Sequence, residues 1–197
     1  MISKKHRRNI CLEGIPNDPW VLAFTVVFAF WLVIAAANTI CASEGKGPGA
    51  GVKPLDENGR MQISPEDRCP VCGMKVHRYP KFAAAIQLRN SATFYFCSTG
   101  CMVRSWMHPE IYLATTPTEL NQPVVKEYFT GRQVDGRSII FVFGSDVIGP
   151  MGPALVPVMG EKYLKVFKKR HGAKSQFLLN DMDDDKWLEM TGRKMKN

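Results

Sequence analysis

The sequence predicts an α+β fold: two small strand–strand–helix units packed together, preceded by one transmembrane helix. Three observations lead there. An uncharged apolar run lies near the N-terminus. Behind it, the order strand, strand, helix occurs twice. Neither half holds enough apolar residues for a core of its own, so the two must share one. At 197 residues, with 45% apolar and 22% charged side chains, the composition is that of a globular protein and excludes a disordered or fibrous chain.

No charged side chain occurs between Pro19 and Ser43. A bilayer core of about 30 Å needs about 20 apolar residues at 1.5 Å each, which residues 20–42 supply. Lys4, Lys5, Arg7 and Arg8 precede the run. The positive-inside bias then keeps residues 1–19 in the cytoplasm and puts everything after Glu44 outside it. The expectation is a single-pass protein of the inner (cytoplasmic) membrane with its C-terminal part in the periplasm. A cleaved signal peptide ending near Ile40-Cys-Ala42 is the alternative, but the run exceeds an h-region of about 7–15 residues. A lipid anchor on Cys41 would need a leucine and small residues before it, and Ala37-Asn-Thr-Ile40 stands there instead. Of the net charge of +8, residues 1–43 account for two units. The basic residues are not interleaved with a nucleic-acid motif, so no nucleic-acid partner is expected. The excess charge suits anionic lipid headgroups or an acidic protein.

Residues 43–65 are rich in Gly, Pro and charge without a hydrophobic period, and read as a flexible linker. The first unit spans residues 66–115. Residues 82–88 form a strand despite three helix-favouring alanines, Asn90-Ser91 turns the chain, and residues 93–97 return as an aromatic strand. Ser98 caps a helix over residues 99–107, which Pro109 ends. The second unit spans residues 122–182. Residues 138–143 form a buried strand, Gly144-Ser-Asp146 a turn, and Val147-Ile148 the start of a return strand. Residues 159–171 form an amphipathic helix with Tyr163, Val166 and Phe167 inward and Gly172 as its C-cap. Residues 176–179 form a last strand. Residues 183–197 are a charged tail in which Trp187 and Leu188 allow one short docked helix.

The chemistry concentrates in the first unit. Four of the six cysteines fall in two close pairs, Cys69-Pro-Val-Cys72 and Cys97-Ser-Thr-Gly-Cys101. Gly73 after the first pair permits a tight knuckle in which two thiolates face one ion. The second pair lies where a strand meets a helix, and Cys101 falls in the first turn, where free amides and the helix dipole favour a thiolate. Two such pairs separated by a hairpin can close on one ion. Three other readings compete. A thioredoxin-type redox pair needs a helix after Cys72, and Gly73-Met-Lys-Val is not one. Covalent haem needs a histidine next to Cys72 and is excluded. Structural disulfides suit an oxidising compartment and stay open.

Four thiolates alone suit zinc or an iron–sulfur centre. Met74 and Met102 beside the two pairs, with Met151 in a loop of Pro150, Gly152 and Pro153, add thioethers, and thiolate with thioether selects Cu(I). The predicted metal residues are therefore Cys69, Cys72, Met74, Cys97, Cys101 and Met102. The predicted ion is Cu(I), with Zn(II) as the other candidate. His77 and His108 are auxiliary candidates, while His171 is accounted for by the helix end it occupies.

Glu127-Tyr-Phe-Thr-Gly131, Phe141-Val-Phe-Gly-Ser145 and Gly149-Pro-Met-Gly152, behind Cys72-Gly-Met74, resemble the NosL family. The resemblance covers about residues 66–182. It implies a membrane-attached copper carrier linked to maturation of nitrous-oxide reductase, with a two-unit αβ fold and no catalytic activity. It also implies Cys72, Met74 and Met102 as copper donors, with Met151 nearby. The first unit is similar to YHS and TRASH metal-binding domains through Cys69-Pro-Val-Cys-Gly-Met74, Phe94-Tyr-Phe-Cys-Ser98 and Pro109-Glu-Ile-Tyr112. The Phe-Cys-Ser element and the missing lipobox depart from lipoprotein NosL members, which leaves the client enzyme open. The function expected is a metallochaperone that delivers Cu(I) to a client metalloprotein or assembly complex. A structural zinc-type site in an interaction module of a membrane complex is the alternative, and a thiol–disulfide oxidoreductase a third.

Overall fold

Strands β1 (Ala84–Leu88) and β2 (Thr93–Phe96) form the predicted hairpin, with register Ala84 opposite Phe96 and Ile86 opposite Phe94. The computed structural model describes residues 49–194. The predicted cytoplasmic segment and anchor over residues 1–42 lie outside the described residues. Among the described residues no helix is long and apolar enough to cross a membrane.

Helix α1 (Thr99–Met107) follows β2, and the Ser98 side chain accepts from the Cys101 amide as its N-cap. It packs on β1. Ala83, Ala84 and Ala85 are all wholly buried where the chain enters β1. This is why three helix-favouring residues serve in a strand: packing against a neighbour outweighs intrinsic preference. His108 ends α1, and the short helix α2 (Pro109–Tyr112) starts on Pro109.

Two strands absent from the sequence reading complete the first sheet. Strand β3 (Leu120–Lys126) pairs antiparallel with β1, and β4 (Gln133–Asp135) pairs with β3, giving the order β2-β1-β3-β4. Pro123 argues against a central strand. It is tolerated because β4 pairs only with Val124–Lys126, so at Pro123 the strand has one hydrogen-bonded neighbour. The first sheet thus draws on both sides of the expected division at 115–122, so the two halves are not equal repeats.

The second sheet has the order β8-β5-β9, from β5 (Ile140–Phe143), β8 (Val156–Val158) and β9 (Ser175–Leu178). The return strand is therefore β8. Val147-Ile148 does not serve as one, because β6 (Ile148–Gly149) pairs with β7 (Gly152–Pro153) in a separate two-stranded ribbon. Alternation along β5 shows where the cores lie. Phe141 stacks on Phe177 in the main core, with ring centroids 5.4 Å apart, while Val142 joins Val156, Val158, Leu164 and Phe167 in a second cluster. Leu164 and Phe167 belong to α3 (Gly160–His171). Leu164, not Tyr163, turns inward, since Leu164 and Phe167 share a face at i, i+3 while Tyr163 rests its ring on Phe129 at the rim. Helix α4 (Asp184–Thr191) is the docked terminal helix, with Trp187 against the main core.

The linker expected over 43–65 is not free along its described part. Leu55 is 7% exposed in the main core, Gly51 N–H donates to Thr93 O at 2.7 Å, and Tyr95 Oη donates to Lys53 O at 2.9 Å. The buried Asp67 carboxylate accepts from the amides of Val52 and Ser64 at 2.8 and 2.6 Å. A polar, glycine-rich stretch is held by its backbone, which hydrophobic periodicity does not register. Beyond the shared core, hydrogen bonds link the two sheet regions: Thr99 Oγ1 donates to Leu155 O, and Tyr128 N–H donates to Pro157 O at 2.9 Å.

Candidate metal centre

The knuckle at Cys69–Met74 is closed by its own backbone. Cys69 N–H donates to Met74 O at 2.9 Å, Gly73 N–H donates to Cys69 O at 2.8 Å, and Arg68 bridges Lys75. Gly73 has φ +72°, and no atom lies within 4 Å of where a Cβ would stand. The left-handed backbone, rather than crowding, calls for glycine there. Opposite the knuckle, Cys97 ends β2 and Cys101 lies in the first turn of α1. Strand, cap and helix place these two thiols with no further loop to order.

All four sulfurs lie within 4.8 Å of one another. Cys72 Sγ is 3.4 Å from Cys97 Sγ, which is 3.9 Å from Cys101 Sγ. A disulfide needs about 2.05 Å, and all four are free thiols. Four sulfurs about 2.3 Å from a tetrahedral ion stand about 3.8 Å apart, which is close to the observed spacing. Cys69, Cys97 and Cys101 are buried and Cys72 is half-buried. Three thiols are thus sheltered and one is half-exposed.

The electrostatics agree. The thiols of Cys101, then Cys97, hydrogen bond to Cys69 and hold it down at about 2. Cys101 is pushed up to about 12, first by its hydrogen bond to Cys69. Cys97 is raised far above the ordinary thiol range by the same contacts, Cys101 first, and burial raises Cys72. The cluster thus favours ionisation at Cys69 and opposes it at the other three. More negative charge in so small and dry a space requires a cation.

The other predicted residues are placed differently. Met74 packs half-buried against the main core. Met102 is wholly buried in that core, one residue past Cys101 and so about 100° around the helix from it. Met151 is 50% exposed at the turn of the β6–β7 ribbon. His108 is engaged by Asp184 at 2.8 Å and Glu110 at 3.6 Å, and His77 is exposed. His171 is bonded by Asp146 through Nδ1 at 2.8 Å and by Tyr128 through Nε2 at 3.1 Å, a side-chain clamp beyond the helix-end effect. Among the described residues no His, Asp or Glu joins the four cysteines. Arg68, whose guanidinium donates to Gly73 O at 3.2 Å, braces the knuckle and was not foreseen. Its position just before Cys69 is the only signal the sequence offers.

A small α+β domain whose hairpin, helix cap and knuckle converge four free thiols belongs to the class of thiolate metal-binding folds. The chain is a member of the NosL family, whose sequence model matches residues 60–187. It is 29% identical over 112 residues to the "Copper-binding lipoprotein NosL" of Stutzerimonas stutzeri, covering 55% of this chain. The match spans 58% of that protein's length. The crystal structure of the copper chaperone NosL from Shewanella denitrificans superposes with a TM-score of 0.56, covering 68% of this chain and 99% of the other. At 19% identity that likeness shows the fold alone.

Proposed function

We propose that this protein carries Cu(I) on the Cys69, Cys72, Cys97 and Cys101 thiolates and passes it to a client metalloprotein by ligand exchange. The observation that supports this most is the grouping of all four sulfurs within 4.8 Å with only Cys72 outside the core. An ion held by three buried sulfurs and one at the rim is retained, yet reachable by an incoming donor. Membership of a family with copper-binding relatives favours copper as the cargo. Met74 and Met102 flank the two pairs and are proposed as the accompanying soft donors, with Met151 near the exit.

The wider setting belongs to the same reading. Residues 20–42 anchor the chain in the inner membrane with the folded part outside the cytoplasm, and the client is a copper enzyme of the nitrous-oxide-reductase kind. A second reading has a specific observation behind it: four sulfurs at tetrahedral spacing also suit a structural Zn(II). Anaerobic purification, chelator competition and X-ray absorption separate the two. Cu(I) held more tightly than by a common chelator, with a sulfur-only shell, supports the carrier. Zinc that resists displacement by Cu(I) and is required for folding would sink it.

A further inference from the structure

Beside the four thiols lies a groove of about 500 Å³, lined in part by Cys101. Cys101 lines one wall, Met151 of the β6–β7 ribbon another, and Trp187 of α4 a third. Arg104, Arg193 and Lys194 also line it, and the lining contains no carboxylate. Among the described residues none of the three cations forms an ion pair. Arg104 donates to Tyr112 Oη at 2.8 Å and lies over that ring at 5.3 Å, while its Nε is buried without an acceptor. The groove therefore combines unneutralised positive charge with an exposed thioether and an indole, against a wall containing a metal-site thiol.

We propose that this groove binds an acidic peptide segment bearing a soft, thioether-type side chain, supplied by the protein that exchanges metal with the centre. The proposal rests on the carrier reading for its purpose, but not for the binding itself. Guanidinium and ammonium groups recognise carboxylates, and desolvation by the walls strengthens the pairing. Met151 and Trp187 offer the apolar and sulfur–aromatic contacts that a methionine-like side chain uses. A flat lipid surface cannot enter a concave groove, and a small inorganic anion would leave the thioether and indole without a contact. Charge also matters at the moment of exchange. An acidic segment approaching a thiolate-rich centre is repelled unless cations offset the charge, and three line this groove together with Cys101.

The test uses the full chain in detergent and a labelled, end-blocked pentapeptide, Glu-Met-Asp-Met-Glu, with Lys-Met-Lys-Met-Lys as its counterpart. Anisotropy of the labelled peptide should report binding of the acidic peptide and none of the basic one. The double substitution R193E/K194E should weaken binding at least about tenfold, or about 1.4 kcal/mol. R104Q should weaken it in the same direction, while Cu(I) affinity measured by chelator competition stays unchanged in R193E/K194E. Equal binding of the two peptides, or full affinity in the double variant, would overturn the proposal. Complete competition by inorganic phosphate at the peptide's own concentration would also overturn it, in favour of a simple anion site. A parallel fall in copper affinity would overturn it too, because the cations would then serve only to offset thiolate charge. A chain that binds the acidic peptide but no copper would sink the carrier reading and leave the groove standing.

Discussion

The sulfurs of Cys72 and Cys97 lie 3.4 Å apart, joining the half-exposed rim of the knuckle to the wholly buried end of β2. This pair ties a loop held by its own backbone to the residue that follows the fully buried edge strand of the main sheet. Cys72 can therefore move without disturbing the core, whereas Cys97 cannot.

The two cysteines should separate in mutation. Cys72→Ser is expected to lower metal retention at least about tenfold while thermal unfolding of the metal-free protein shifts little. Cys97→Ser is expected to lose the metal and also about 1–3 kcal/mol of stability, because a hydroxyl is then buried among sulfurs with poor partners. Chelator competition and urea unfolding on both variants check this. Equal stability losses would contradict the rim-and-core division.

Metal uptake should depend steeply on pH. Cys72, Cys97 and Cys101 are held protonated and Cys69 is ionised, so binding to four thiolates releases close to three protons. Affinity should rise with pH, and proton release can be counted by calorimetry in buffers of different ionisation enthalpy. Release of one proton or fewer would contradict the cysteine assignment.

Stability of the metal-free form follows with opposite signs. The three raised thiols contribute stability that is present below their ordinary value of 9.0 and is lost as pH rises, for Cys101 towards about 12. The lowered Cys69 contributes stability that is present above 9.0 and is lost as pH falls towards about 2. On the cysteines alone, the metal-free protein should weaken as pH rises from 9.0 towards about 12. The loaded form, its thiolates already ionised, should not. Urea midpoints across that range test it.

Met102 provides a test of packing against ligation. Met102→Ala should cost about 2–5 kcal/mol, because it opens a cavity in the main core. Met102→Leu keeps the volume and should cost under about 1.5 kcal/mol. If the thioether is a donor, Met102→Leu will still lower Cu(I) affinity. An unchanged affinity assigns the residue to packing alone.

Gly73→Ala should isolate the contribution of the knuckle. No atom would meet the added methyl, so the cost is backbone strain, about 1 kcal/mol. Because the knuckle is already closed in the metal-free chain, that cost should appear as a slightly lower unfolding temperature of the metal-free protein, read by calorimetry. A collapse of the fold would mean that the knuckle is part of the folding core.

How much of this was legible in the sequence depends on how local the cause is. Helix α1 was placed over its observed residues because Ser98 and Pro109 mark its two ends chemically. The β1–β2 hairpin followed from a turn between two apolar runs. The four cysteines were found because their spacing already brings each pair together. Strands β3 and β4 were missed, since Pro123, Asn121 and Gln122 spoil the alternation and the strand is held by pairing with a distant neighbour. The packing of Gly51 to Ser64 was missed for the same reason, as Tyr95 and Asp67 hold that stretch from outside it.

The four-cysteine centre shows the same boundary. By itself the sequence determined that there would be two thiol pairs, each on a turn suited to a metal, because spacing within five residues is set by local backbone geometry. Only the tertiary structure decided that the pairs meet, with Cys72 at the rim and Met102 turned into the core. It also decided that Arg104, Trp187 and Lys194 gather beside Cys101. Those distances span many residues, and sheet pairing and burial of the shared core set them, neither of which is written in any one segment.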